Sequence, residues 1–158
     1  MISSTVIGVD PGSRATGWGV VRLEGRDLAL VACGVIRLGG DLDLAGRMMT
    51  LAERLGEVIE QHRPDQAAVE DVFVSRDPRA ALKLGQARGA ALAALASARI
   101  AVAAYAPAKI KSAVTGSGRA DKAQVQRMVQ AVLGMDRPPA RDAADALAVA
   151  ICHARSLR

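Results

Sequence analysis

Aromatic side chains are nearly absent from this chain: Trp18, Phe73 and Tyr105 are the whole set. Its core must therefore be assembled from Ala, Val, Leu and Ile. Cysteine is almost as scarce. Cys33 and Cys152 lie far apart and match no metal-ligand spacing, so two buried free thiols in a reducing cytosol are expected. No apolar run approaches the length of a membrane span; the Ala-rich stretch from Ala90 to Ala98 is short and is broken by Arg99. Met1-Ile2-Ser3-Ser4 has no basic region leading into a long apolar segment, so no signal peptide is expected. A soluble, cytoplasmic protein with no membrane contact follows as the expectation. Lysine is rare too: only Lys83, Lys109, Lys111 and Lys122 among 21 basic residues. The Arg bias and abundant Ala hint at coding composition rather than function.

The chain does have an excess of positive charge. Its formal net charge is +5, from 21 basic and 16 acidic residues. Setting four candidate ligands aside leaves a surface balance that suits a polyanionic partner, because phosphate neutralisation drives binding to nucleic acid. A basic domain that merely stays soluble is the alternative. The length, 158 residues with 51% hydrophobic, suits one domain over 1–158 with a full core.

Those four carboxylates are the most informative feature. Asp10 ends the apolar run Thr5-Val6-Ile7-Gly8-Val9 and is followed by a Pro-Gly turn. Glu70 ends a second run, Ala67-Ala68-Val69. Asp142 and Asp145 stand three apart at the start of the last helical segment, so they share one helical face. Acids at the ends of buried strands open into the crevice where α/β sheets bind ligands, and hard divalent ions take oxygen ligands of this kind. Asp10 as a turn cap and Asp142 as a helix N-cap are the structural alternatives. Asp71 alternates to the other strand face from Glu70 and is left out of the set.

The pattern predicts strands over Val6–Asp10, Trp18–Leu23 and Leu28–Leu38, with a hairpin at Gly25-Arg26-Asp27. Helical periodicity covers Leu44–Gln61 and stops at Arg63-Pro64. A fourth strand is predicted over Gln66–Val74 and a fifth over Ile100–Tyr105. Asp77-Pro78 opens a helix to Ser97, with Pro in the first turn where its missing N–H is harmless. Pro107 starts a short helix, Asp121 caps one through Leu133, and the last runs from Arg141 to Ser156. The expected architecture is α/β: a five-stranded mixed sheet, its first three strands antiparallel, flanked by helices.

Four blocks, GVDPGSRATGWGV, VEDVF, LKLGQARG and RDAADALAVAICHA, appear in the order and at the approximate spacing of the RuvC family of Holliday-junction resolvases, which this chain resembles from about Ile7 to about His153. The resemblance implies a ribonuclease-H-like fold. It also implies an endonuclease that makes paired, symmetric nicks in four-way DNA junctions during recombination and repair. Asp10, Glu70, Asp142 and Asp145 would then be metal ligands and catalytic, holding two Mg2+ ions, with Mn2+ as a substitute. Lys122 would be catalytic and DNA-binding, and Lys111 DNA-binding; Lys109 and Arg119 have weaker warrants. Arg14, in the loop beside Asp10, is a candidate phosphate contact. Gly12 and Gly17 either let a phosphate backbone approach or simply make a tight strand connection. Phe73 alone would read as a core residue; the resemblance makes it an aromatic that stacks on junction bases, worth about 1–3 kcal/mol per base. The helix bearing Leu82, Gly85 and Gly89 packs either on its own sheet or, as the resemblance implies, at a two-fold homodimer interface. A branch-migration motor complex of the RuvA and RuvB type is the implied partner.

The rivals are a ribonuclease-H-like nuclease acting on RNA–DNA hybrids, a junction-binding protein without catalysis, and an actin-like ATPase. The last needs two such domains and a second phosphate loop, for which this chain has no room.

Overall fold

The computed structural model describes residues 1–71 and 76–158. Its sheet is built outward from β1 (Ser3–Asp10), a strand whose interior from Val6 to Val9 is wholly buried. β2 (Ala15–Glu24) and β3 (Asp27–Arg37) follow as antiparallel neighbours joined at Gly25, which takes a positive φ of 64°. After α1 (Leu44–His62) the chain returns as β4 (Gln66–Glu70), parallel to β1. After α2 (Pro78–Ser97) it returns again as β5 (Ala101–Tyr105), parallel to β4. Three helices complete it: α3 (Pro107–Thr115), α4 (Lys122–Val132) and α5 (Arg141–Ser156). The order across the sheet is β3-β2-β1-β4-β5, the expected mixed, ribonuclease-H-like arrangement with β1 at the centre.

Helix boundaries agree closely with the sequence because caps set them. Asp43 accepts from the Gly46 N–H at 2.7 Å, Asp77 from the Arg79 N–H at 3.0 Å, and Asp121 forms a capping box with Gln124. Arg63 ends α1 in the left-handed region, at φ 45°, directly before Pro64. The strands differ more. β1 and β2 each begin about three residues earlier than hydrophobicity predicts, because backbone pairing runs on to Ser3↔Glu24 and Asp10↔Gly17 beyond the buried core. Among the described residues β4 ends at Glu70, although the Asp71 N–H still donates to the Tyr105 carbonyl; the rest of the predicted strand, through Val74, lies outside the described residues.

Alternation along the strands divides the core in two. Ile7, Val9, Val20, Ala67 and Val69 face α1 and α2, meeting Leu51, Leu55, Ala87, Ala91 and Leu95. Val6, Val21, Leu23 and Ala68 face the opposite way, toward α3, α4 and α5. α5 is buried on all sides from Ala143 to Ala154 except at Asp145, as an apolar helix laid across a sheet must be. Both cysteines are free; Cys152 is buried, while Cys33 is only half-buried, because β3 is the edge strand.

Candidate active site

The site exists because α5 can lie unusually close to the sheet. A side chain at Gly8 would run into the Ala146 carbonyl and the Ala150 backbone of α5, and one at Gly17 into the Asp142 carbonyl. At Gly19 it would meet Leu147. These three glycines sit side by side on β1 and β2, with Gly8 paired to Gly19 and Asp10 to Gly17. They make a flat track for the helix. The track serves the chemistry directly: the first turn of α5 is held against the end of β1, where Asp10 emerges. Gly17 thus has a helix-seating role that neither sequence reading of that residue named.

Asp10 follows Val6 and Gly8 on the α5 face of its strand, and Glu70 follows Ala68 on the same face of β4. Carboxylate oxygens of Asp10, Asp142 and Asp145 all lie within 4.8 Å of one another. Glu70 is not part of that tight trio. It shares one cavity of about 240 Å³ with Asp10, Pro11, Asp71, Leu84, Arg88 and Pro107, and a second with Lys111, Lys122 and Asp145. It therefore adjoins both the trio and the two lysines.

The bland roles for the two aspartates fail on geometry. The loop after Asp10 is closed by Thr16, whose hydroxyl accepts from the Gly12 N–H at 3.3 Å and lies 3.4 Å from the Gly12 carbonyl. The N-cap of α5 is Ala140, with no side-chain cap bond, and Asp142 lies inside the first turn. There it meets the positive end of the helix dipole, which favours its charge.

Burial and mutual repulsion shape the electrostatics. Asp10 is pushed up to about 7, first by burial and then by Asp145, Glu70 and Asp142, with Lys122 opposing. Glu70 is raised by burial and by Asp145, and held back by Lys122 and Lys111. Lys122 Nζ lies 3.2 Å from Asp145 Oδ2. The lysine is largely exposed, so breaking this pair costs only about 0.2–1 kcal/mol. Three carboxylates gathered this tightly, one of them held half-protonated near neutrality, are poorly satisfied by protein alone. A hard divalent cation fits the donor set, because it takes oxygen ligands and relieves the repulsion.

The remaining candidates are distributed as follows. Lys111, at the second turn of α3, is half-buried and faces Glu70 across the shared cavity. Arg14 is exposed in the loop beside Asp10. Phe73 lies outside the described residues. Arg119 is not part of the acidic cleft; it lines a larger cavity, about 520 Å³, with Thr115, Arg127 and Met128. Leu82 is 64% exposed, and no described residue lies within 4 Å of the Cβ position at Gly85 or Gly89. Among the described residues this stripe does not pack on the chain's own sheet. Leu92, further along α2, does pack inward.

Two features escaped the sequence reading. Arg88 enters the acidic cleft from α2; its spacing of four from Leu84, which lines the same cavity, was the available signal. His153 ties three elements together, with Nε2 2.7 Å from Gln66 Oε1 on β4 and Nδ1 2.7 Å from the Tyr105 hydroxyl on β5. Its ring is buried, which lowers its pKa and keeps it neutral. No local pattern announces a partnership across 87 positions.

A mixed sheet in this order, with acids at the ends of adjacent central strands and on the helix crossing them, defines a metal-dependent nuclease of the ribonuclease-H-like class. Residues 6–153 match the family model of crossover junction endodeoxyribonuclease RuvC. The chain is 52% identical over 149 residues to the RuvC of Marinobacter nauticus, covering 94% of this chain and 85% of that protein. It is 54% identical over 149 residues to the RuvC of Halorhodospira halophila, covering 94% and 89%. The solved structure of T. thermophilus RuvC in complex with a Holliday junction substrate superposes with a TM-score of 0.92 at 36% identity, covering 98% of this chain and 95% of that one. The chain belongs to the RuvC family.

Proposed function

We propose that this chain resolves Holliday junctions by paired, symmetric hydrolysis of phosphodiester bonds in recombination and repair. The observation that carries the reading is the acidic trio on the glycine track, joined by Glu70 and flanked by two lysines, in a chain of this family. Asp10, Glu70, Asp142 and Asp145 would hold two Mg2+ ions, with Mn2+ able to replace them. Bound ions supply an activated water and stabilise the leaving oxygen in such reactions.

The protein's own groups do the rest. Asp10 must give up its proton before it can ligate, so protons compete with the metal and loading of the metal-free protein weakens as pH falls below about 7. Lys122 compensates the acidic cluster at rest. Its exposed ammonium is free to turn to a phosphate oxygen once Asp145 is engaged elsewhere. Lys111 offers a second cation on the Glu70 side, and Arg14 a third beside Asp10. Phe73, three residues beyond Glu70, is suited to stacking on bases near the cut, where any base offers a π-face.

The substrate is a four-way DNA junction and the working unit a homodimer, with Leu82, Gly85 and Gly89 at its interface. The unpacked face of α2 supports this, since exposed glycines weaken a helix and a partner helix could approach them closely. The chain acts as one nuclease domain over 1–158, in the cytoplasm, after a branch-migration motor of the RuvA and RuvB type. Among the described residues no helix is long and apolar enough to cross a membrane.

Asp10→Asn, Glu70→Gln, Asp142→Asn and Asp145→Asn are each expected to abolish cleavage of a synthetic junction while leaving its binding intact in a gel-shift assay. Near-normal nicking by any of the four removes that residue from the ligand set.

A further inference from the structure

Arg88 is the one basic residue lining the cavity of about 240 Å³ that also holds Asp10 and Glu70, among the described residues. It reaches there from the flank of α2, between exposed Gly85 and Gly89 and the buried face of Ala87 and Ala91. Its guanidinium is poorly used. The contact to Asp71 Oδ1 is long, at 3.7 Å, and Asp71 is itself half-exposed. Its Nε is buried and has no hydrogen-bond partner among the described residues. A guanidinium keeps its charge under all ordinary conditions and presents five donors in a planar fork. The fork lines the cavity and is held only by that long contact, so a ligand oxygen entering there would meet a donor already in place.

The cations that act on Asp10 and Glu70 are Lys122 and Lys111, not Arg88. Arg88 pairs instead with Asp71 at the edge of the cleft. It stands on the opposite wall from the two lysines, so a strand crossing the acidic cluster would pass Lys111 and Lys122 on one side and Arg88 on the other. Asp71 is too distant and too solvated to compete strongly with a phosphate for the fork.

We propose that Arg88 forms a subsite for a non-scissile DNA phosphate next to the bond cut at Asp10, fixing the strand's register in the cleft. This rests on the junction-nuclease reading of the same site. It adds that the register is set from α2, the helix whose outer face is the candidate dimer surface. Dimerisation and strand placement would then share one rigid element.

The test uses the full-length protein and junctions carrying a single neutral methylphosphonate at each phosphate flanking the cut, with single-turnover cleavage as the readout. Wild-type cleavage is expected to drop about tenfold or more when one particular flanking phosphate is neutralised, the scale of a lost charge-assisted hydrogen bond. Arg88→Ala is expected to be slow by a similar factor on the unmodified junction and to lose its sensitivity at that one position. Arg88→Lys, which keeps the charge without the fork, should recover part of the rate. If Arg88→Ala melts early, the Lys variant and the wild-type scan still decide the matter. A wild-type profile with no sensitive flanking phosphate, or an Arg88 variant that keeps the wild-type profile, overturns the subsite. Wild-type protein that fails to cut the unmodified junction would instead overturn the reading on which it rests.

Discussion

Asp10 carries a conflict that bound ions would resolve. Its carboxyl is pushed from 3.8 to about 7 by burial and by three neighbouring acids. In the metal-free protein this raised value contributes stability that is fully present below about pH 3.8 and is lost as the pH rises through 7. Asp10→Asn removes the penalty. Metal-free Asp10→Asn is therefore expected to melt above the wild type at pH 8, by about 2–4 °C for each kcal/mol recovered. The gap should close near pH 4. Adding Mg2+ at pH 8 should raise the wild-type melting temperature and leave the variant nearly unchanged. A variant that melts below the wild type at both pH values would show that Asp10 is satisfied by the protein itself. The acids were legible in the sequence because strand ends and an i, i+3 pair place them by local rules. Arg88 was not, since its role depends on which wall of a cleft α2 forms.

The decisive element is α5, and its position depends on glycines far away in sequence. Gly8, Gly17 and Gly19 let the helix settle against β1 and β2, and an added methyl at Gly17 would collide with the backbone that carries Asp142. Gly17→Ala is expected to destabilise by about 1–3 kcal/mol, the usual range for overpacking, and to lower cleavage further than that loss of stability explains. Thermal melts together with cleavage at a temperature where the variant is folded would separate the two effects. Unchanged activity in a folded variant would mean that the α5 register is not what sets the acidic trio. The starts of α2 and α4 were readable because Asp77 and Asp121 announce them. Strand ends were not, because pairing between backbones continues where hydrophobicity stops. The glycine track was hidden for a related reason: a glycine in a strand shows that space is needed, but not what fills it.

For the molecule as a whole, hydrophobic runs and helical periodicity were enough to give the five-stranded mixed sheet and helices on both faces. Its assembly is the step they leave open. Leu82, Gly85 and Gly89 form an exposed stripe on α2, next to the flank from which Arg88 enters the cleft. One protomer brings one acidic trio among its described residues, whereas a junction has two strands to cut. The most direct test is to incubate a supercoiled plasmid bearing an extruded cruciform with the protein and Mg2+, and to separate the products by agarose electrophoresis. Paired nicking within one bound dimer predicts linear plasmid cut symmetrically across the cruciform base, with little free nicked circle and no reaction on the same plasmid lacking the inverted repeat. Accumulation of nicked circles alone, or equal cutting of the plasmid without the repeat, would contradict it.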